Sequence, residues 1–245
     1  MALFDTDALV LRTYDLKDAD KIVVLLTKYN GLVRGVAQGA KRIKSKFGGG
    51  LEPLSVIHCT YFQKEDRDLA SINNVELLKS HFSLASNYEF QMLHSVFVRL
   101  VDDFVPPNQR DERIYRMAIA VIDAFESDNE SKLALEVYLK HWVLHFAGYL
   151  PEWKDCVGCR GKSGITEFEL QDDFSIACIT CSRSIRKVGF TKNALEVISK
   201  CRKCAPREFV AVTKELKEGL TQINEIFERL IARVLDRELT ALATR

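Results

Sequence analysis

No stretch of this 245-residue chain approaches 18 consecutive apolar residues, so no membrane-spanning helix is expected. Its beginning carries acids, Asp5 and Asp7, where a secretory signal would carry basic residues. The expectation is a cytosolic protein, and in a reducing compartment structural disulfides are disfavoured. Internal repeats and low-complexity tracts are missing as well, and the net charge is only +1.

Catalytic signatures are equally scarce. Gly48-Gly49-Gly50 runs into Leu51-Glu52-Pro53 and not into the Gly-Lys-Ser/Thr that opens a phosphate-binding helix. His141 and His145 have the i, i+4 spacing of a helical metal pair, but Trp142 stands where a zinc protease keeps its glutamate base. Asp102-Asp103 and Asp172-Asp173 are adjacent acids, which point apart instead of converging on one Mg²⁺. No nucleophile and base occur at a recognisable spacing. The chain is not expected to be an enzyme.

What is present is cysteine in a metal-binding pattern. Six of the seven cysteines form Cys-x-x-Cys pairs, at Cys156/Cys159, Cys178/Cys181 and Cys201/Cys204. Such a pair aims two thiolates at one tetrahedral centre, and a second pair some 15 to 20 residues on completes a four-sulfur zinc site. The intervals are 18 residues between Cys159 and Cys178 and 19 between Cys181 and Cys201, so spacing alone leaves two choices. Local sequence favours Cys156, Cys159, Cys178 and Cys181. Gly158 and Gly161 permit a tight knuckle, and residues 166–178 alternate enough for a short hairpin, whereas Cys201 and Cys204 follow a helical pattern at Ala194, Leu195, Val197 and Ile198. A structural zinc is the expected cofactor. Redox chemistry would place its cysteine pair after a strand in a βαβ unit, which this pattern lacks.

Hydrophobic period divides the rest. Runs rich in Val, Ile, Leu and Thr at 7–14, 21–27, 31–37, 54–62 and 70–75 predict five strands, parted by turn residues. Five strands at this spacing suit a small OB-type barrel over residues 1–80. Helical spacing follows at 82–102, 111–125 and 129–146, then resumes at 191–203 and 214–242, where Leu216, Leu220, Ile223, Ile226, Phe227, Leu230, Ile231, Val234 and Leu235 form one stripe. The expected fold is therefore α+β and multidomain: an N-terminal barrel and an all-α domain at 81–245 with a zinc ribbon inserted at about 152–188.

Charge is segregated along the chain. Residues 81–150 hold six basic and ten acidic residues, while both flanking segments are net basic. Between Lys21 and Leu51 lie Lys21, Lys28, Arg34, Lys41, Arg42, Lys44 and Lys46 with no acid, and a second acid-free window, 174–195, holds Arg183, Arg186, Lys187 and Lys192. Two such windows point to a polyanion, bound by counterion release with little sequence preference. Tyr14, Tyr29, Tyr61 and Phe62 suit a core, and Phe47 in the basic run is the aromatic expected to stack on bases.

This order of elements resembles the RecO family of bacterial recombination mediators across nearly the whole chain. The residues carrying the resemblance are Ala8-Leu9-Val10-Leu11, Asp20, Leu25-Leu26-Thr27, Gly31, Ala37-Gln38-Gly39-Ala40 with the basic run to Ser45, Leu51-Glu52-Pro53, and Phe146-Ala147-Gly148-Tyr149-Leu150-Pro151 leading into Cys156-Val157-Gly158-Cys159. The resemblance implies an OB-fold, a helical domain and a zinc finger. It also implies binding of single- and double-stranded DNA, annealing of complementary strands, and work with RecR and single-stranded DNA-binding protein that assists RecA loading, at the nucleoid and without a membrane. Two other classes compete: an RNA- or ribosome-associated OB protein with a zinc ribbon, which would prefer RNA over DNA, and a zinc hydrolase or deaminase, which four thiolates deprive of an open coordination position.

Overall fold

In a computed structural model, which describes residues 2–64, 67–107, 109–161, 167–184 and 188–243 (237–243 as backbone only), all five expected N-terminal strands are present. They are β1 (Ala2–Leu16), β2 (Asp20–Thr27), β3 (Gly31–Ala37), β4 (Ser55–Gln63) and β5 (Ala70–Ser80). β1 and β5 outrun their apolar cores. Residues 2–9 of β1 pair with β4 and residues 8–16 with β2, while β5 follows β4 as far as Ser80. Backbone pairing carries these ends, in which charged and polar residues such as Asp5, Thr6, Glu76 and Lys79 interrupt the apolar pattern.

The strands close into a barrel in the order β1-β2-β3-β5-β4. All neighbours are antiparallel except β3 and β5, which meet in parallel at Gly35↔Ala70 and Val36↔Ser71. A Cβ on Gly35 would fall 2.5 Å from Cδ1 of Ile72, so this closure needs glycine. Ala8 and Val10, Val23 and Leu25, and Ile57, Cys59 and Tyr61 fill the interior at period two. Leu9, Leu11, Val24 and Leu26, between them, are buried too. Helix α2 (Glu112–Ser127) packs against β1, β2 and β3, which explains why these strands read as continuous apolar runs and not as alternation.

Before α2 come a 3-10 turn (Phe82–Ser86) and α1 (Tyr88–Phe104), capped by Asn87, whose side chain accepts from Phe90 N. Phe90 meets Phe125 of α2 edge to face at 5.1 Å. The change of period at residue 80 marks where strands give way to helices, but the compact units divide at 129/130. The cause is α2, which lies on the barrel.

The second unit holds α3 (Lys132–Phe146), the short strands β6 (Phe168–Leu170), β7 (Ile176–Cys178) and β8 (Val188–Phe190), then α4 (Lys192–Lys203), α5 (Pro206–Thr213) and α6 (Lys217–Ala243). Leu220, Ile223, Ile226, Phe227, Leu230 and Ile231 of α6 are buried, and α6 packs against α3 and α4. The short α5, opened by Pro206 at its first turn, has too few residues to show a period. β6 lies between β7 and β8. This sheet is fixed to α6: Trp153 packs on Phe190 and Phe227 with ring centroids 5.2 and 5.9 Å away, and donates to Phe174 O at 2.7 Å. Gln222 of α6 donates to Gly189 O at 2.8 Å. Among the described residues no helix is long and apolar enough to cross a membrane.

Candidate metal centre and basic surface

The β6–β7 hairpin sets the metal centre. Antiparallel pairing of Phe168 with Cys178 places Cys178 at the end of β7, and the turn beyond it, with Cys181 N and Ser182 N both donating to Cys178 O at 2.9 Å, brings Cys181 back. Val157 N donates to Ile176 O at 3.0 Å, which lays the first knuckle against the same strand. One sulfur from each of Cys156, Cys159, Cys178 and Cys181 then lies within 4.8 Å of the others. The Cys159 and Cys178 sulfurs are 3.9 Å apart, close to the edge of roughly 3.8 Å in a tetrahedron built on Zn–S bonds of about 2.3 Å.

Electrostatics agree with a cation at the centre. Burial opposes a thiolate at Cys156, but backbone N–H groups of Cys159, Cys178 and Gly158 outweigh it and lower this thiol to about 6; the contacts from Gly158 N and Cys178 N are 3.3 and 3.2 Å. Hydrogen bonding to Cys178, then burial, pushes Cys181 up to about 12. Sulfurs this close cannot all ionise until a cation joins them. The four residues fit a metal ion. Cys201 lies buried in α4, where burial drives its thiol well above the usual value, and Cys204 caps that helix; neither joins the cluster. His141 is likewise enclosed, and burial lowers it to about 3.

A second group, His81, Asp123 and Glu126, also brings its ligand atoms together. Lys79 already supplies the cation there, 2.7 Å from Asp123 and 3.4 Å from Glu126, and His81 Nδ1 meets Glu126 at 2.7 Å. This cluster ties the end of β5 to α2.

On the barrel, space resolves what the acid-free window could not. Lys21 pairs with Glu52 at 3.2 Å, Lys28 with Asp7 at 3.7 Å, Arg34 with Asp102 at 3.6 Å and Lys41 with Asp15 at 3.0 Å. Acids outside the window fold back onto it. Arg42, Lys44 and Lys46 are exposed and have no ion pair among the described residues. The expectation that Phe47 stacks on bases is corrected: at 3% exposure it belongs to the barrel core, beneath Lys46, whose Nζ lies 5.2 Å from the ring centre. Tyr61 is core as well, but Tyr14 and Tyr29 are exposed, with Arg12 and Lys28 over their rings at 5.8 and 5.2 Å. In the metal module Arg183 is exposed beside Cys181, its backbone N–H donating to Gln171 at 3.0 Å. Arg186 and Lys187 lie outside the described residues.

Comparison with known proteins places the chain. The family model described as Recombination protein O N terminal matches residues 1–81, and the one described as Recombination protein O C terminal matches residues 87–241. The chain belongs to the RecO family. Similar relatives carry the name DNA repair protein RecO. That of Koribacter versatilis is 30% identical over 157 residues, 64% of either chain. In Cutibacterium acnes the figure is 31% over 188 residues, 74% of this chain and 75% of the relative, and in Geobacter metallireducens 27% over 239 residues, 97% and 95%. The chain thus spans just under two thirds of the Koribacter relative. The two RecO family models meet between residues 81 and 87, at the change from strands to helices.

Sequence reasoning missed Ile43, which stands fully exposed within the basic turn. Its signal was partial: Ile43 lies between Lys41-Arg42 and Lys44, with polar Lys41 and Ser45 at strand spacing.

Proposed function

We propose that this RecO-family chain is a non-enzymatic recombination mediator in DNA repair. It binds single- and double-stranded DNA through an OB-type barrel and anneals complementary strands. The observation that carries the reading is the trio Arg42, Lys44 and Lys46, exposed on one barrel turn and without an ion pair among the described residues, while neighbouring cations are neutralised. Such cations displace counterions from phosphates, and OB barrels bind oligonucleotides on strand faces and loops. Annealing then needs no bond chemistry, because neutralised strands meet and base pairing drives the rest. Cys156, Cys159, Cys178 and Cys181 hold a structural zinc that folds the inserted module. RecR and single-stranded DNA-binding protein are the proposed partners, RecA the indirect beneficiary, and the cytoplasm the site of action.

The test is duplex formation from two complementary oligonucleotides, bare or coated with single-stranded DNA-binding protein. Annealing should proceed on both without ATP or Mg²⁺, with no oligonucleotide shortened. Strict ATP dependence, or a cleaved product, overturns the reading; preference for RNA strands in direct competition moves it to an RNA-binding role.

A further inference from the structure

Ile43 is the most exposed large hydrophobic side chain among the described residues, with a relative exposure of 105%. A hydrogen bond from Ser45 N to Arg42 O, at 2.9 Å, closes a β-turn with Ile43 and Lys44 at its corners. The turn is held from both sides, and among the described residues nothing covers the side chain. Upstream, Gly39 N donates to Asp20 at 2.8 Å, Lys41 N to Ala19 O at 2.9 Å and Lys41 Nζ to Asp15 at 3.0 Å. Downstream, Phe47 is sunk in the barrel core. The result is an aliphatic tip on a fixed base, flanked by Arg42, Lys44 and Lys46, none with an ion pair among the described residues.

We propose that Ile43 is a wedge that packs against the bases of single-stranded DNA and parts them, while Arg42, Lys44 and Lys46 hold the flanking phosphates. This rests on the DNA-binding reading above and names the residue that touches bases. Charge complementarity selects the occupant: cations lie on both sides of the isoleucine, while Glu52 and Asp15 are paired with Lys21 and Lys41 and Asp20 accepts from Gly39 N. A polyanion with apolar faces is what such a tip fits. Apolar wedges do enter duplexes, but they must unstack a base step to do so, and one side chain on a short turn offers little to offset that. A single strand presents its bases at far lower cost. Held with its bases parted, a strand has lost its own structure and is ready to pair with a complement.

The experiment uses the full chain and an adenine-rich oligonucleotide carrying one 2-aminopurine, whose fluorescence rises when it is unstacked. The unaltered protein should raise the signal on binding. Ile43→Ser should abolish the rise and weaken binding about fivefold, leaving the salt dependence of affinity unchanged because the cations remain; Ile43→Val should restore both. A full rise with Ile43→Ser overturns the wedge, whatever the affinity. The variant Arg42→Ala/Lys44→Ala/Lys46→Ala separates the two readings. If it lowers the salt dependence while Ile43→Ser behaves as the unaltered protein, phosphate binding at the turn stands and the wedge falls. If it too changes nothing, DNA binding at this turn falls with it. The tip is fully exposed, so folding is preserved in each variant, as an unchanged unfolding midpoint verifies.

Discussion

A Cβ on Gly158 would lie 2.7 Å from the Cβ of Cys181 and 2.9 Å from its sulfur. The first knuckle therefore seats against the second pair only because residue 158 has no side chain. Gly158 N also donates to Cys156 Sγ, so the same residue provides both room and a hydrogen bond. Gly158→Ala should weaken metal retention by about 10–100-fold, read by competition with a chelator. Cys156→Ser or Cys178→Ser should purify without metal, and Cys201→Ser should keep it. Metal lost from the Cys201 variant but retained in the Cys156 variant would move the site.

Ion pairing ranks the basic residues of the barrel. Each phosphate contact on a single strand contributes about 0.7 to the slope of log affinity against log salt, so removing Arg42, Lys44 and Lys46 together should lower that slope by about 2. Lys21→Ala and Lys41→Ala should change it far less, because Glu52 and Asp15 already neutralise those lysines. Titrations at several salt concentrations would show the difference; equal effects from paired and unpaired lysines would mean the ion pairs open on binding.

Helices and the metal knuckles were legible because each has a period or spacing that local chemistry imposes, and the strands because short apolar runs are parted by turn residues. Val23 to Leu26 is such a run, buried on both faces, and the CxxC pairs flank a hairpin whose pairing places Cys178. What sequence could not supply was anything decided across space. Phe47 looked like a loop aromatic among cations, yet its ring belongs to the barrel core together with Val75 and Ile57. Lys21 and Lys41 looked free until Glu52 and Asp15 met them. The parallel meeting of β3 with β5 also has no sequence signature beyond a glycine at 35.

Ile223, without exposed surface on α6, sits in the apolar stripe that packs toward α3 and α4. An aspartate there would bury an unpaired charge. Ile223→Asp should cost upwards of about 4 kcal/mol and abolish cooperative unfolding of the helical unit, seen by circular dichroism. A variant that keeps its melting transition would show this part of the stripe to be an interface instead of a core.

His58 on β4 faces its cross-strand partner Asp7 on β1, with Nδ1 2.9 Å from Asp7 and Nε2 2.6 Å from Asp5. The hydrogen bond to Asp7 raises its pKa above the usual 6.5, burial opposes, and the charge on Asp5 adds to the rise; Lys28, also paired to Asp7, stays cationic throughout. Because the folded value is the higher one, the stabilisation is complete below the unfolded value and fades as pH rises through the folded value. The group is partly solvated, so the effect should stay under about 1 kcal/mol. Thermal midpoints of the unaltered chain should fall as the pH rises above the unfolded imidazole value of about 6.5, and His58→Gln should remove that part of the fall. An identical pH profile in the variant would mean the imidazole stabilises nothing.

Lys140 is a fully buried cation on α3. Its Nζ donates to Glu136 one turn earlier at 2.6 Å, to Asn224 of α6 at 2.8 Å, and to Glu228 of the same helix. The cluster joins α3 to α6 beside the apolar stripe. Breaking a buried pair from one side is costly because the partner stays behind with its charge, whereas replacing both partners by apolar residues is often neutral. Lys140→Met should therefore destabilise the helical unit by about 3–5 kcal/mol, and Lys140→Met/Glu136→Leu should recover most of the loss, since Glu136 is the carboxylate held deepest while Glu228 reaches solvent. Denaturant titrations of the two variants decide the matter. If the double variant is no more stable than the single, the lysine serves to hold α6 through Asn224 and Glu228, and the α3 pair contributes nothing of its own.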